Sequence, residues 1–179
     1  MDDSRGFTLL ELLIVIVILA VVLSMSIAGY RHARMRGGEA AAIAALEAIN
    51  QGQFAFMQTC GRQRYATSLT SLGVAPAGGT PFLSPDLTAA DQITKSGYGL
   101  QMAGTPADDP PPEPTCTGVP AADGYQATAD PLSPGVSGLR YFGTNRDRVL
   151  YEDTTTFSGN MPEAGAPSHG RELSARGRR

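Results

Sequence analysis

Glu11 is the one carboxylate in "RGFTLLELLIVIVILAVVLSMS", residues 5–26, and Leu12 to Leu23 is unbroken apolar sequence. An ionised group in such surroundings is costly unless it meets an opposite charge, so the chemistry open to Glu11 is charge pairing. Other reactive residues are sparse. His32 and His169 are the only histidines, one beside the apolar run and one near the C-terminus. Neither a catalytic triad nor a histidine metal cluster can be built from them. No glycine-rich phosphate loop occurs, and the chain reads as a non-enzyme. Asp108, Asp109 and Glu113 offer carboxylates for a weak calcium site. Their spacing matches no calcium loop, and solvated loop acids are the plainer reading, so no cofactor is expected. Cys60 and Cys116 are the only cysteines.

The elements that must carry these residues begin with the apolar run. Roughly 20 such residues at 1.5 Å each match the ~30 Å core of a bilayer, which makes residues 7–30 a transmembrane helix. Two rivals exist. Ser26-Ile27-Ala28 offers a secretory cleavage site, but the leading "MDDSRG" is acidic where secretory signals are basic. A plain membrane anchor leaves Glu11 without a purpose. Beyond the run, residues 31–60 are rich in Ala, Leu, Glu and Gln, and the helix is expected to continue to Thr59. Ile43, Leu46, Ile49, Phe54, Phe56 and Met57 share one face suited to packing under a sheet. Gly29 and the pair Gly37-Gly38 are the expected places for a bend, and Gly61 the expected left-handed cap.

Residues 62–94 read as loop with short helical turns. Four antiparallel strands follow: "SGYGLQMAG", "GYQATA", "GLRYFGT" and "RVLYED", the last two joined by a hairpin at Asn145-Arg146-Asp147. The fold class is therefore α+β, a long N-terminal helix packed on a four-stranded antiparallel sheet, with the globular part at 61–157. "TPADDPPPEPTCTG" between the first two strands reads as an exposed loop. Residues 158–179 hold few large apolar groups and are expected to be disordered.

The charge total, 14 Lys+Arg against 17 Asp+Glu, gives no push toward nucleic acid, but its distribution is uneven. From Tyr65 to His169 four basic residues face eleven acidic ones, whereas 170–179 holds four Arg and one Glu. Arg31, His32, Arg34 and Arg36, just past the apolar run, admit two readings: contacts to lipid headgroups, or a DNA-binding patch.

The stretch "RGFTLLELLIVIVILAVVLS" resembles the amino-terminal signature of type IV prepilins and type II secretion pseudopilins. There a short polar leader ends in glycine and is followed by Phe, Thr, Leu, Leu, Glu and a long apolar helix. The resemblance implies a leader at residues 1–6, cut between Gly6 and Phe7 by a prepilin peptidase. It also implies N-methylation of Phe7 and assembly of a filament through the helix, with Glu11 as the assembly residue. The implied partners are further copies of the chain, an inner-membrane platform with a cytoplasmic ATPase, and membrane lipid. The implied location is a single pass of the inner membrane, then the periplasm or a surface filament. Two functions share this machinery, a pilus subunit and a secretion pseudopilin. A tethered extracytoplasmic binding module that never polymerises is the alternative from another class. An exported body would place Cys60 and Cys116 in an oxidising compartment, where an even pair favours a disulfide over a metal site. The sequence around them also resembles a pilin-type group whose paired cysteines tie helix to loop.

Overall fold

A computed structural model describes residues 7–106 and 115–173, the side chains of 24–28 excepted. Helix α1 runs unbroken from Leu9 to Thr59, 51 residues. The expected bend at Gly29 or Gly37-Gly38 does not interrupt it. Gly38 serves close approach instead. A Cβ there would lie 2.8 Å from the Ser137 carbonyl oxygen and 2.9 Å from that of Ser96. The helix ends at Cys60, and the residues that turn left-handed are Arg62 (φ 52°) and Gln63 (φ 69°). Gly61 is therefore not the left-handed cap the sequence suggested. It is small because a Cβ would overlap the Arg64 carbonyl oxygen and the Phe56 ring.

After α1 come β1 (Tyr65–Ala66), α2 (Leu69–Leu72), α3 (Pro85–Thr88), β2 (Gln92–Lys95), β3 (Tyr98–Ala103), β4 (Ala121–Ala122), β5 (Gln126–Pro131), β6 (Tyr141–Asn145), β7 (Tyr151–Asp153) and β8 (Arg171–Glu172). The α+β class holds, but the sheet is larger than expected. Six antiparallel strands lie in the order β2-β3-β5-β6-β7-β8, with a separate β1-β4 pair. The four expected strands are β3, β5, β6 and β7. The two additions at the edges lack an apolar alternation: β2 is "QITK", and both residues of β8 are exposed.

The sheet face toward α1 is formed by Tyr98, Leu100, Met102, Ala127, Ala129 and Phe142, all buried. Leu100 stands opposite Ala129 and Met102 opposite Ala127, so each large side chain has a small one beside it and the helix can approach. From α1 come Ala42, Ala45, Leu46, Ile49 and Phe56, with Ile43 packed at the margin and Phe54 and Met57 half-buried. Two polar residues share that buried face. Asn50 donates to Thr144 Oγ1 (3.0 Å) and accepts from the Tyr125 hydroxyl (2.8 Å). Gln53 donates to the Ala66 carbonyl (2.8 Å) and accepts from its N–H (2.9 Å), so a helix side chain completes the pairing of β1.

Of residues 158–179, whose composition suggests disorder, 158–173 are instead held on the sheet by specific contacts, and 174–179 lie outside the described residues. Phe157 and Met161 are buried against Gly143. Asn145 Nδ2 donates to the carbonyls of Pro162 (3.1 Å) and Gly165 (2.6 Å). Glu163 accepts from Thr105 N (2.7 Å), and the His169 ring stacks on Phe157 with centroids 4.9 Å apart. Side-chain bonds to backbone replace the missing apolar surface, which hydropathy does not register.

Candidate processing and assembly site

Thr8 opens α1 as its N-cap in extended conformation, and Glu11 answers it from the third helical position. Thr8 Oγ1 accepts from Glu11 N (3.2 Å), while Glu11 Oε2 accepts from both Thr8 N and Thr8 Oγ1 at 2.9 Å. This reciprocal capping box satisfies backbone donors that the first turn leaves open. Both hydrogen bonds to the carboxylate fall on Oε2. The Thr-x-x-Glu spacing is the sequence signature of such a cap, here placed directly before an apolar run.

Phe7 is 85 % exposed, and every large apolar side chain from Leu9 to Leu23 is about half exposed or more. The segment is greasy on all sides, so it has no face of its own to turn to water. Tyr30, Arg31, His32, Arg34 and Arg36 follow on its C-terminal side, all exposed. Among the described residues no helix is long and apolar enough to cross a membrane; the side chains of 24–28, which follow the apolar run, lie outside them. Gly6, the residue before the expected cut, also lies outside the described residues.

Residues 1–27 carry the prokaryotic N-terminal methylation motif. It is the prepilin-type signature of type IV pilins and pseudopilins, and its match covers the cap, Glu11 and the whole apolar run to Leu23. No curated protein and no solved structure matches the chain.

At the far end of the motif-bearing helix, Cys60 is joined to Cys116. Cys116 N also donates to the Cys60 carbonyl (3.2 Å), so the staple holds the loop after β3 against the top of α1. Asp108, Asp109 and Glu113, the weak calcium candidates, lie outside the described residues. Among the described residues no cluster of three or more His, Cys, Asp or Glu side chains is arranged to hold a metal.

An ionic relay that sequence patterns did not reveal ties α1 to the sheet near residue 39. Arg140 reaches Glu39 with Nε (2.9 Å) and Nη2 (2.7 Å), and Glu152 with Nη1 (2.6 Å). Arg171 Nε extends the relay to Glu152 Oε1 (2.8 Å), and Leu139 N donates to Glu39 Oε1 (3.0 Å). Burial alone would raise the Glu39 pKa, but the donors from Leu139 and Arg140 outweigh it and hold the carboxyl below its usual range. Asp153 is held down to about 2 by His169 Nδ1, 2.6 Å away, and by the N–H of Thr154. Asp130 moves the other way, pushed up by burial despite a hydrogen bond from Thr156.

Proposed function

We propose that this protein is a structural subunit of a type IV pilus or a closely related filament. It is cut between Gly6 and Phe7 by a prepilin peptidase, N-methylated on Phe7, and polymerised through α1. The methylation motif at residues 1–27 carries this reading. Before assembly the apolar half of α1 crosses the inner membrane with the globular part outside; afterwards it lies in the filament core. An inner-membrane platform and a cytoplasmic ATPase drive extraction and addition. The chain acts by polymerising, not by catalysis. A secretion pseudopilus uses the same N-terminal steps, and the Cys60–Cys116 staple favours the pilus among the two.

The geometry at Glu11 supplies a mechanism for ordered addition. Oε2 is engaged with its own Thr8, which leaves Oε1 to meet a second donor. Cleavage creates an α-ammonium on Phe7. A neighbour's ammonium meets Glu11 only when the two helices are displaced axially by about one turn, ~5 Å. At another height both charges stay unpaired in a medium that solvates them poorly, so the pair sets register. Glu11→Val is expected to leave insertion and cleavage largely intact and nearly abolish filaments, with Glu11→Asp intermediate. Electron microscopy at equal amounts of processed subunit reads the difference; normal filament yield from the Val variant would reduce Glu11 to a helix cap.

A further inference from the structure

We propose that the β5–β6 loop is a second membrane contact: in the unassembled subunit Leu132, Val136 and Leu139 rest on an anionic lipid surface beside Arg31, Arg34 and Arg36. The inference rests on the reading that the apolar half of α1 spans a bilayer. These three loop side chains are 57 %, 65 % and 58 % exposed, unusual for large apolar groups clustered in one short loop. The loop is not slack. Its own N–H groups are paired, Val136 and Ser137 to the Ser133 carbonyl and Gly135 to that of Gly138, each at 2.9 Å. Two contacts seat it on α1: the Ser137 carbonyl closes over Gly38, and Leu139 N donates to Glu39. The apolar side chains are therefore held outward by a fixed backbone.

The height of the loop along α1 identifies its surroundings. At 1.5 Å per residue, Arg36 lies about 3 Å and Arg31 about 10 Å from Gly38 toward the apolar half. Helical side chains also lean toward the N-terminus, so the guanidinium groups are carried further in that direction. Loop and cations thus fall within about 10 Å of axial height, somewhat more than the ~5–8 Å of headgroup region on one side of a bilayer, and the N-terminal lean of the guanidinium groups carries them toward the apolar side of it.

Charge selects the occupant. Residues 12–38 contain no Asp or Glu, and residues 131–139, "PLSPGVSGL", carry no charge. The acid next along the helix, Glu39, is occupied by Arg140, and Lys95 in the adjoining hairpin is paired with Asp86 at 2.6 Å. Asp130, before the loop, is one acid against three arginines: Thr156 donates to its Oδ2, and its Oδ1 is buried without a hydrogen-bond partner among the described residues. The base is left as a set of exposed cations beside apolar side chains, the combination that binds an anionic interface. A second copy presenting the same cations at the same height would be repelled.

The chain contains no tryptophan, so a single introduced one reports its own surroundings. Full-length Val17→Trp and Val136→Trp variants would be reconstituted in vesicles of neutral phosphatidylcholine, or with phosphatidylglycerol added, carrying shallow or deep bromines on the lipid. The proposal expects Trp emission at 17 to be quenched in both lipids. Emission at 136 should be blue-shifted and lose about half its intensity to shallow bromines in the anionic vesicles at every protein-to-lipid ratio, as for a side chain at the interface. Replacing Arg31, Arg34 and Arg36 with Gln should remove most of that loss. Quenching at 17 without quenching at 136 would overturn the proposal while leaving the span intact. A blue shift at 136 that grows with protein-to-lipid ratio and ignores bromine would mean that a second copy covers the loop, and would overturn it as well. No quenching at 17 would sink the membrane reading and the loop contact together.

Discussion

The two halves of α1 are one continuous helix with opposite relations to their surroundings. From Leu9 to Leu23 the large apolar side chains are exposed on every side. From Gly38 to Cys60 one face is buried under the sheet, and the other exposes only small or polar side chains: Ala40, Ala44, Gln51, Ala55, Gln58 and Thr59. The outer half has found its apolar partner within the chain, so its stability is intramolecular. The inner half carries more apolar surface and spends none of it on the fold. On the proposed function, that surface meets lipid first and other helices afterwards. The division falls where Glu39 meets Arg140, at the level where the sheet begins to cover the helix.

The largest expected difference between the halves comes from the staple. Cys60→Ser should cost the globular part roughly 4 kcal/mol, the chain-entropy value for a loop of this length, and increase its proteolysis while the inner half still inserts. Urea unfolding of the detergent-solubilised chain measures the loss, and an unchanged midpoint would show that packing alone holds the top of α1.

A direct comparison of one residue from each half should give a smaller contrast. Leu46 is completely buried, and Leu46→Ala should cost about 3 kcal/mol through lost burial and a cavity. Ile16, 55 % exposed, should give no measurable change in the same assay when replaced by Ala. Equal destabilisation by both would mean that the halves unfold as one unit.

The smallest effect concerns the C-terminal segment that locks onto the sheet beside the outer half. Asp153 has a folded pKa of about 2, below the ~3.9 of an unfolded chain. A depressed carboxylate contributes stability above the unfolded value and loses it as pH falls toward the folded one, so this contribution fades between about pH 4 and 2. Glu39 acts in the same direction, and Asp130, whose pKa is raised, opposes them. His169→Ala removes the main cause of the Asp153 shift and should flatten the acid limb of a thermal-midpoint profile recorded from pH 5 to 2. An unaltered limb would show that the His169 contact contributes nothing to stability.

Much of this organisation was legible because it depends on local pattern. The apolar run, the stripe through Leu46, Ile49 and Phe56, and the hairpin at Asn145-Arg146-Asp147 each follow from periodicity or turn chemistry within a few residues. What escaped depends on partners far along the chain. Asn50 lies among apolar positions because Thr144 and Tyr125 meet it, and Glu39 is buried because Arg140 does. Polar residues on a buried helix face give no sign of where such partners are. Residues 158–173 escape hydropathy for a related reason: they are ordered by Asn145 and Glu163 bonding to backbone and by His169 hydrogen-bonding Asp153. At the other end, the capping box between Thr8 and Glu11 was readable from spacing alone, and it links the residue assigned to assembly with the start of the helix itself.

The central claim is that the mature subunit begins at Phe7 with its apolar helix free to polymerise. Intact mass and N-terminal sequencing of the exported protein test it most directly. The account predicts a chain lacking residues 1–6, beginning at Phe7 and carrying one added methyl group on its α-amine. A chain beginning at Gly29, or one that retains the first six residues in assembled filaments, would contradict it.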